Sequence, residues 1–400
     1  MMIEYAEAFR LVMANVPRLR TQILPVEQTI GYILAQDISS PLEMPPFNKS
    51  AVDGYALIAH DTARPLVILK GQGKIKAGEL SRTTVKRGQC LKIMTGSPLP
   101  RGADSVVMIE NTRPSGEEIE VLVQVKKGEN VCKRAEDIKR GEVVLKKGTR
   151  LNAASTAVAA ALGKKELLVY KKPEVSILST GNEIVKPGQR LIRGSIYDSN
   201  GAMLSALLEK EGISYEFIGM AKDKITDLER RIKAGLKKDM VLISGGVSMG
   251  DYDLVPRVLA SFKVKKIFHK VKIKPGKPVF FGRLGEKLIF GIPGNPVSNL
   301  VVFYLFIKPA MERWSGRVTR GPHFARGILT RDFRQKTGRC HFVLVKIKKD
   351  NNNFYLYPVS SHGSADILAA ARADGFMKVD GRYAFLKKGE SLEFISWSTE

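Results

Sequence analysis

The chain is poor in cysteine, in histidine and in long apolar runs. Its three cysteines, Cys90, Cys132 and Cys340, are scattered through 400 residues with no C-x-x-C pair. That excludes a disulfide framework and argues against a cysteine zinc site. The five histidines, His60, His269, His323, His341 and His362, have no metal-ligand spacing and read as lone surface or strand residues. The longest apolar run, Leu300–Ile307 (LVVFYLFI), is too short to cross a bilayer. The first residues, MMIEYAEAFR, carry an early acid and no apolar signal core, so a cytoplasmic protein is expected. Acid is also in deficit: 40 Asp and Glu stand against 65 Lys and Arg, a formal net charge of +25. Such a field attracts anions, whether nucleic acid, an oxyanion or a phosphorylated small molecule. Zinc-finger, RGG and RRM signatures are missing, which weakens the nucleic-acid reading.

A chain of 400 residues exceeds one ordinary core and implies roughly two to four domains. Residues 1–44 with 141–171 read as a small mixed helical and linking domain. EYAEAFRLVMA has helical apolar periodicity, and NAASTAVAAALG is an alanine-rich helix with an Asn cap and a Gly stop. Residues 45–140, short strands broken by Gly and Pro turns, read as a β-rich domain. Residues 172–318 alternate strand and helix, the grammar of an α/β domain with a mostly parallel sheet. Within them, Thr226 and Glu229 have capping-box spacing, and NPVSNLVVFYLFIKPAMERW reads as one long helix. Residues 319–400 alternate around turns such as 350–353 and read as a small β-barrel-like domain. The expected fold is therefore multidomain, α/β plus β.

Three strands of the α/β segment run into glycine-bearing loops: VSILS into TGNE, MVLIS into GGVSMGDYD, LIFGI into PGNPVS. Ligands of open α/β sheets bind outside the carboxyl ends of the strands. If these strands are neighbours, residues 180–183, 245–253 and 293–298 line one crevice. Gly245, Gly246 and the Ser248 hydroxyl suit a phosphate. Glu183, Asp251 and Asp253 suit a hard divalent cation. HKVKIKPGKP adds Lys270, Lys272, Lys274 and Lys277, and strand alternation puts the first three on one face. Plainer readings stand beside these: Asp253 as a helix N-cap, PGNP as a rigid turn, the lysine row as a solvated face. PPFNKSAVDGYA and KIMTGSPLPRGADSVVMIE read by themselves as turn chemistry in a β-domain.

The stretches PPFNKSAVDGYA, IMTGSPLPRGADSVVMIE, AEDIKRGE, LSTGNEIV, YDSNGAML, SGGVSMGDYD, IKPGKPVFFG, GIPGNPVSNLVVF and SSHGSADILAAARADGF follow one another over nearly the whole chain. In that order they resemble the molybdopterin molybdenumtransferase family, the MoeA-type proteins that include the C-terminal domain of gephyrin. The resemblance implies the last step of molybdenum cofactor assembly. Adenylylated molybdopterin and molybdate give the loaded cofactor, AMP and water, with Mg²⁺ or a similar cation assisting. It implies a homodimer of four-domain subunits whose cleft takes its DGYA-bearing domain from the second copy. The upstream adenylyltransferase and molybdoenzyme apoproteins follow as further partners. Carried over by motif, the functional residues are Asp53, Thr95, Glu183 and Asp253 for catalysis, with Glu183 and Asp253 on the metal. Asp223, Lys270, Lys274, Pro293, Pro296, Arg339 and Ser364 fall at substrate-binding positions, beside Gly245, Gly246 and Ser248. The family commonly has PPFDNSAMDGYA, RRxGEDI and STGDEL. Here Asn48, Lys49, Val52, Ala135 and Asn182 depart from those patterns. A basic nucleic-acid-binding protein and an ATP-using molybdopterin adenylyltransferase are the alternatives. The β-rich segments outside 172–318 argue against the second.

Overall fold

The computed structural model of the chain describes residues 2–64, 66–75, 78–79, 81–247, 254–319 and 321–397. The chain forms two compact units. One is Met1–Ala35 with Arg150–Asn152 and Glu166–Glu400; the other is Gln36–Thr149 with Ala153–Lys165. No helix among the described residues is long and apolar enough to cross a membrane.

The smaller unit is built on one sheet. Its spatial order is Ser105–Met108, Gly54–Leu57, Gln89–Ile93, Val67–Ile75, Glu118–Val121 and Thr112–Ser115. Gly54–Leu57 is buried at every position and antiparallel to both neighbours. Gly54 lies so close to Val107 that a Cβ would stand 1.8 Å from its carbonyl oxygen, so no other residue fits there. Gly54 pairs with Ile93. Because those strands run in opposite directions, Asp53 just before Gly54 and Thr95 just after Ile93 leave the sheet at the same end. The alanine-rich helix forms over Ala153–Ala161 and stops before Gly163, whose φ is 74°.

The larger unit has two halves. The α/β half is a sheet in the order Tyr215–Ala221, Val175–Thr180, Met240–Ser244, Lys287–Ile292, Phe280–Leu284 and Lys265–His269. The first four strands are parallel and the last two run antiparallel at the edge. Val175–Thr180 and Met240–Ser244 are buried throughout, as near-continuous apolar strands of a covered parallel sheet must be. Helix Ser199–Lys210 starts on Asp198, whose carboxylate accepts the Gly201 N–H at 2.8 Å. It ends at Gly212, with the Ile213 N–H returning to Leu208 O.

Two sequence expectations fail here. Helix Ile225–Gly235 has no side-chain cap, so the Thr226–Glu229 capping box is not made. The Asp227 carboxylate instead accepts the N–H of Lys222. The long helix is interrupted as well: α-helix over Pro296–Val302 and Lys308–Trp314 is separated by a π-turn at Phe303–Ile307. Pro309 supplies the reason. It has no N–H for the carbonyl of Leu305, and its ring would strike that carbonyl in a regular helix, so the preceding turn widens.

The second half is a closed barrel. Cys340–Asp350 pairs with Asn353–Pro358, which continues through Ala325–Leu329 and Ser391–Ser396 to Gly375–Val379. Gly375–Val379 returns to Cys340–Asp350 and closes the ring. The expected 350–353 turn is present, with Asp350 opposite Asn353 and Asn351 at φ 51°. One short strand, Ile273–Lys274, crosses from the α/β half and lies parallel to the barrel with Lys274 opposite His341.

Candidate active site

The three glycine-bearing loops do open at one sheet edge. Ser179 is level with Ser244, and Ser244 with Ile292, so the three strands end flush. The loops enclose a cavity of about 660 Å³ whose walls include Thr180, Glu183, Asn200, Asp223, Gly245, Gly246, Pro293 and Pro296. Ser248, Asp251 and Asp253 lie outside the described residues.

Backbone geometry explains the glycines. Gly181 has φ 146°, and a Cβ there would meet the Glu183 carboxylate at 2.7 Å, so Glu183 folds back over it. Gly245 and Gly246 have φ 92° and 63°, and a Cβ on Gly245 would stand 2.5 Å from Thr180 O. The Gly245 N–H donates to Ile292 O at 2.9 Å. That N–H is spent on the sheet, so Gly245 offers a ligand close approach rather than a donor. Asn182 and Asp223 clasp each other across the edge: each backbone N–H donates to the other's side chain, at 3.3 and 3.1 Å. The Asn182 amide makes this clasp without setting a second negative charge beside Asp223.

A second cavity, about 590 Å³, lies between the sheet edge and the barrel. Lys274, Arg331, Arg339, His341 and Ser364 are in its walls, and it shares Pro278, Pro293 and Asn295 with the first cavity. Asn295 Nδ2 donates to Ser364 Oγ at 2.7 Å, and the Val297 N–H donates to Ser364 O. The PGNP turn is thereby tied to the barrel loop.

In the sequence His341 reads as a lone surface or strand histidine; in the structure it is half-buried among cations. Its tautomer follows from its neighbours. Gln335 Nε2 donates to the carbonyls of Asp380 and Tyr383 at 3.0 and 2.8 Å, so Gln335 Oε1 must accept. His341 Nδ1 lies 3.0 Å from that oxygen and therefore carries the proton. Burial first, then the charges of Lys274 and Arg339, bring the ring's pKa down to about 4. No motif flagged Arg331 or Gln335; only the pairing of remote segments brings them in, whereas Asn295 belongs to the PGNP loop already expected at the crevice.

The lysine row is not realised as alternation predicts. Only Ile273–Lys274 is strand, Lys270 takes φ 82°, and Lys272 pairs with Glu4 at 2.5 Å. Lys274 reaches the second cavity, whereas Lys270 lines neither.

In the smaller unit, Thr95 donates both its backbone N–H and its hydroxyl to Asp53 Oδ1. These two bonds hold the Asp53 carboxyl below the usual carboxylate range. Among the described residues no three His, Cys, Asp or Glu side chains gather as a metal-ligating cluster.

Comparison with known proteins covers nearly the whole chain. Residues 3–163 match the MoeA N-terminal region (domain I and II), 176–313 a probable molybdopterin binding domain, and 326–397 the MoeA C-terminal region (domain IV). The chain is 31% identical to a molybdopterin molybdenumtransferase of Staphylococcus epidermidis, over 98% of this chain and 95% of the relative. It is 30% identical to one of Staphylococcus aureus, with the same coverage. A molybdopterin biosynthesis MoeA protein of Pyrococcus horikoshii superposes over 100% of both chains, with a TM-score of 0.83 and 32% identity.

Proposed function

Because the chain belongs to the molybdopterin molybdenumtransferase family, we propose that it inserts molybdenum from molybdate into adenylylated molybdopterin, releasing AMP and water. It is an enzyme of molybdenum cofactor biosynthesis, a transferase. The observation that carries the finer reading is the meeting of two unlike cavities at the Pro293–Asn295 turn. One is glycine-walled and acidic; the other is cationic. A pterin nucleotide seated in the first presents its phosphates beside an oxyanion gathered in the second by Lys274 and Arg339. Oxyanion transfer of this kind needs position and charge neutralisation more than a covalent intermediate.

A divalent cation such as Mg²⁺ belongs to this reading. Mg²⁺ takes one or two carboxylates and completes its shell with water and substrate phosphate. Glu183, a carboxylate in the wall of the first cavity, fits that demand. Glu183, with Asp253, would hold the ion. When bound it polarises the phosphoanhydride. Ser248 joins Gly245 and Gly246 at the phosphate. Asp53 and Thr95 come to the reaction from a second copy in a homodimer and orient the reacting water or oxyanion. Free thiols at Cys90, Cys132 and Cys340 accord with a cytoplasmic setting.

The test is molybdate-dependent AMP release from adenylylated molybdopterin by the full chain. Release that ignores molybdate counts against the reading. Glu183→Ala and Asp253→Ala are expected to lower the rate most at limiting Mg²⁺; wild-type rates there would remove the metal assignment.

A further inference from the structure

Buried polar atoms with no hydrogen-bond partner are uncommon, since each loses its water and gains nothing. Among the described residues six side-chain atoms stand this way, and three of them, Thr180 Oγ1, Asn200 Oδ1 and Asn299 Oδ1, belong to the strand ends and helix starts around the first cavity. Thr180 and Asn200 are 3% and 7% exposed, and both line that cavity.

Their orientation is determined. A Cβ added to Gly245 or Gly246 would lie 2.9 or 2.8 Å from Thr180 Oγ1, so the hydroxyl faces the glycine turn. Asn200 Nδ2 donates to Gly294 O at 2.6 Å. A carbonyl only accepts, so the amide cannot be flipped, and Oδ1 is the atom left over. The two atoms differ in what they can take. A hydroxyl can donate to a phosphate oxygen. An amide oxygen can only accept, so it must face an N–H or O–H.

We propose that Thr180 and Asn200 are substrate contacts: the Thr180 hydroxyl donates to a phosphate oxygen seated on the Gly245–Gly246 turn, and Asn200 Oδ1 accepts a ring N–H of the pterin. The inference rests on the functional reading above. The pterin is chosen over adenine because it carries N–H donors around most of its rim, where adenine has one amino group.

A side chain kept unsatisfied for a ligand gives nothing to the empty protein, and that separates this role from a structural one. Thr180→Val, nearly isosteric, is expected to leave the melting temperature unchanged or raised, because it removes an unpaired buried hydroxyl. The same change is expected to weaken both AMP and adenylylated molybdopterin by about tenfold or more, as loss of a hydrogen bond to a charged group does. Thr180→Ser restores binding to within about threefold. Asn200→Ala is expected to weaken adenylylated molybdopterin by about tenfold while AMP binds as before, which also shows that the pocket is intact. Calorimetric titration of the full chain with the two ligands, alongside melting curves without ligand, reads all of this. Wild-type affinities in Thr180→Val, or a lowered melting temperature with unchanged affinity, overturn the Thr180 contact. Equal or absent effects on the two ligands in Asn200→Ala overturn the Asn200 contact. A wild-type protein that binds neither ligand overturns the functional reading and this inference with it.

Discussion

Asp53 and Thr95, 42 residues apart in the chain, meet at a single oxygen: Asp53 Oδ1 accepts the backbone N–H and the hydroxyl of Thr95, each at 2.7 Å. The pair arises from strand register, since Gly54 opposite Ile93 carries both residues to one end of the sheet. Thr95 thus keeps the carboxylate ionised and fixes its rotation, with Oδ2 turned away from both bonds. If Thr95 acts through Asp53, their losses overlap rather than multiply. Asp53→Asn is expected to slow AMP release by about 100-fold and Thr95→Val by about tenfold, since the backbone bond survives in the second. The double variant should be no slower than Asp53→Asn alone. Steady-state rates on the three proteins check this, and multiplied losses would mean two independent roles.

Ala135 stands where related sequences commonly have glycine, and its φ is 62°. A Cβ in the left-handed region costs about 1–2 kcal/mol. Part of that is offset because alanine has less freedom to lose on folding than glycine. Ala135→Gly is therefore expected to stabilise the smaller unit by about 0.5–1 kcal/mol. Asn48, another departure in the same region, still accepts the Arg134 N–H at 2.8 Å and should need no correction. Denaturant unfolding of the two proteins measures the difference, and a lower midpoint for the glycine variant would refute it.

What could be read in the sequence was whatever repeats locally. Apolar runs such as VSILS and MVLIS announced buried parallel strands, and the glycines that follow them announced the loops of the cavity. The Asp350–Asn353 hairpin was legible from its turn residues. Reading failed where a remote segment sets the environment. Alternation in KVKIK presumes a strand, but Lys270 is turned into the left-handed region and only Ile273–Lys274 pairs with the barrel. The capping-box spacing at Thr226 lost to a tighter use of Asp227. His341 became notable only when Lys274, Arg339 and Gln335 folded around it. The unsatisfied oxygen of Thr180 has no signature in sequence, because it is defined by what the fold leaves out.

Ser364, in the wall of the second cavity, is bonded through Asn295 and Val297 to the turn that both cavities share. Ser364→Ala removes the side-chain bond and keeps the backbone one. Asn295, the partner left behind, is exposed and can turn to water, so stability should change by less than about 1 kcal/mol. The wall of the proposed oxyanion cavity is expected to loosen. KM for molybdate should rise by about three- to tenfold while KM for the nucleotide stays unchanged. A rise confined to the nucleotide would place Ser364 on the wrong side of the turn.

His341 makes the stability of the fold depend on pH. The ring titrates at about 4 in the folded chain against an ordinary value of 6.5. Above pH 6.5 it is neutral in both folded and unfolded protein and has no effect on stability. As pH falls from 6.5 towards about 4, the unfolded chain takes up a proton that the folded chain refuses, so stability drains away across that window and levels off below it. The loss attributable to this ring is on the order of 1–3 kcal/mol. His341→Asn keeps a donor towards Gln335 Oε1 and removes the titration. The variant's stability should therefore decline less steeply than wild type between pH 6.5 and 4, with parallel curves above that range. Carboxylates that titrate in the same window cancel in the difference. The neutral ring also constrains catalysis. With His341 neutral, the cations in the walls of the proposed oxyanion cavity are Lys274, Arg331 and Arg339. KM for molybdate should accordingly stay level from about pH 6 to 8. A KM that climbs across that range would mean that the ring is protonated when the oxyanion binds, and that burial and the neighbouring cations do not keep it neutral.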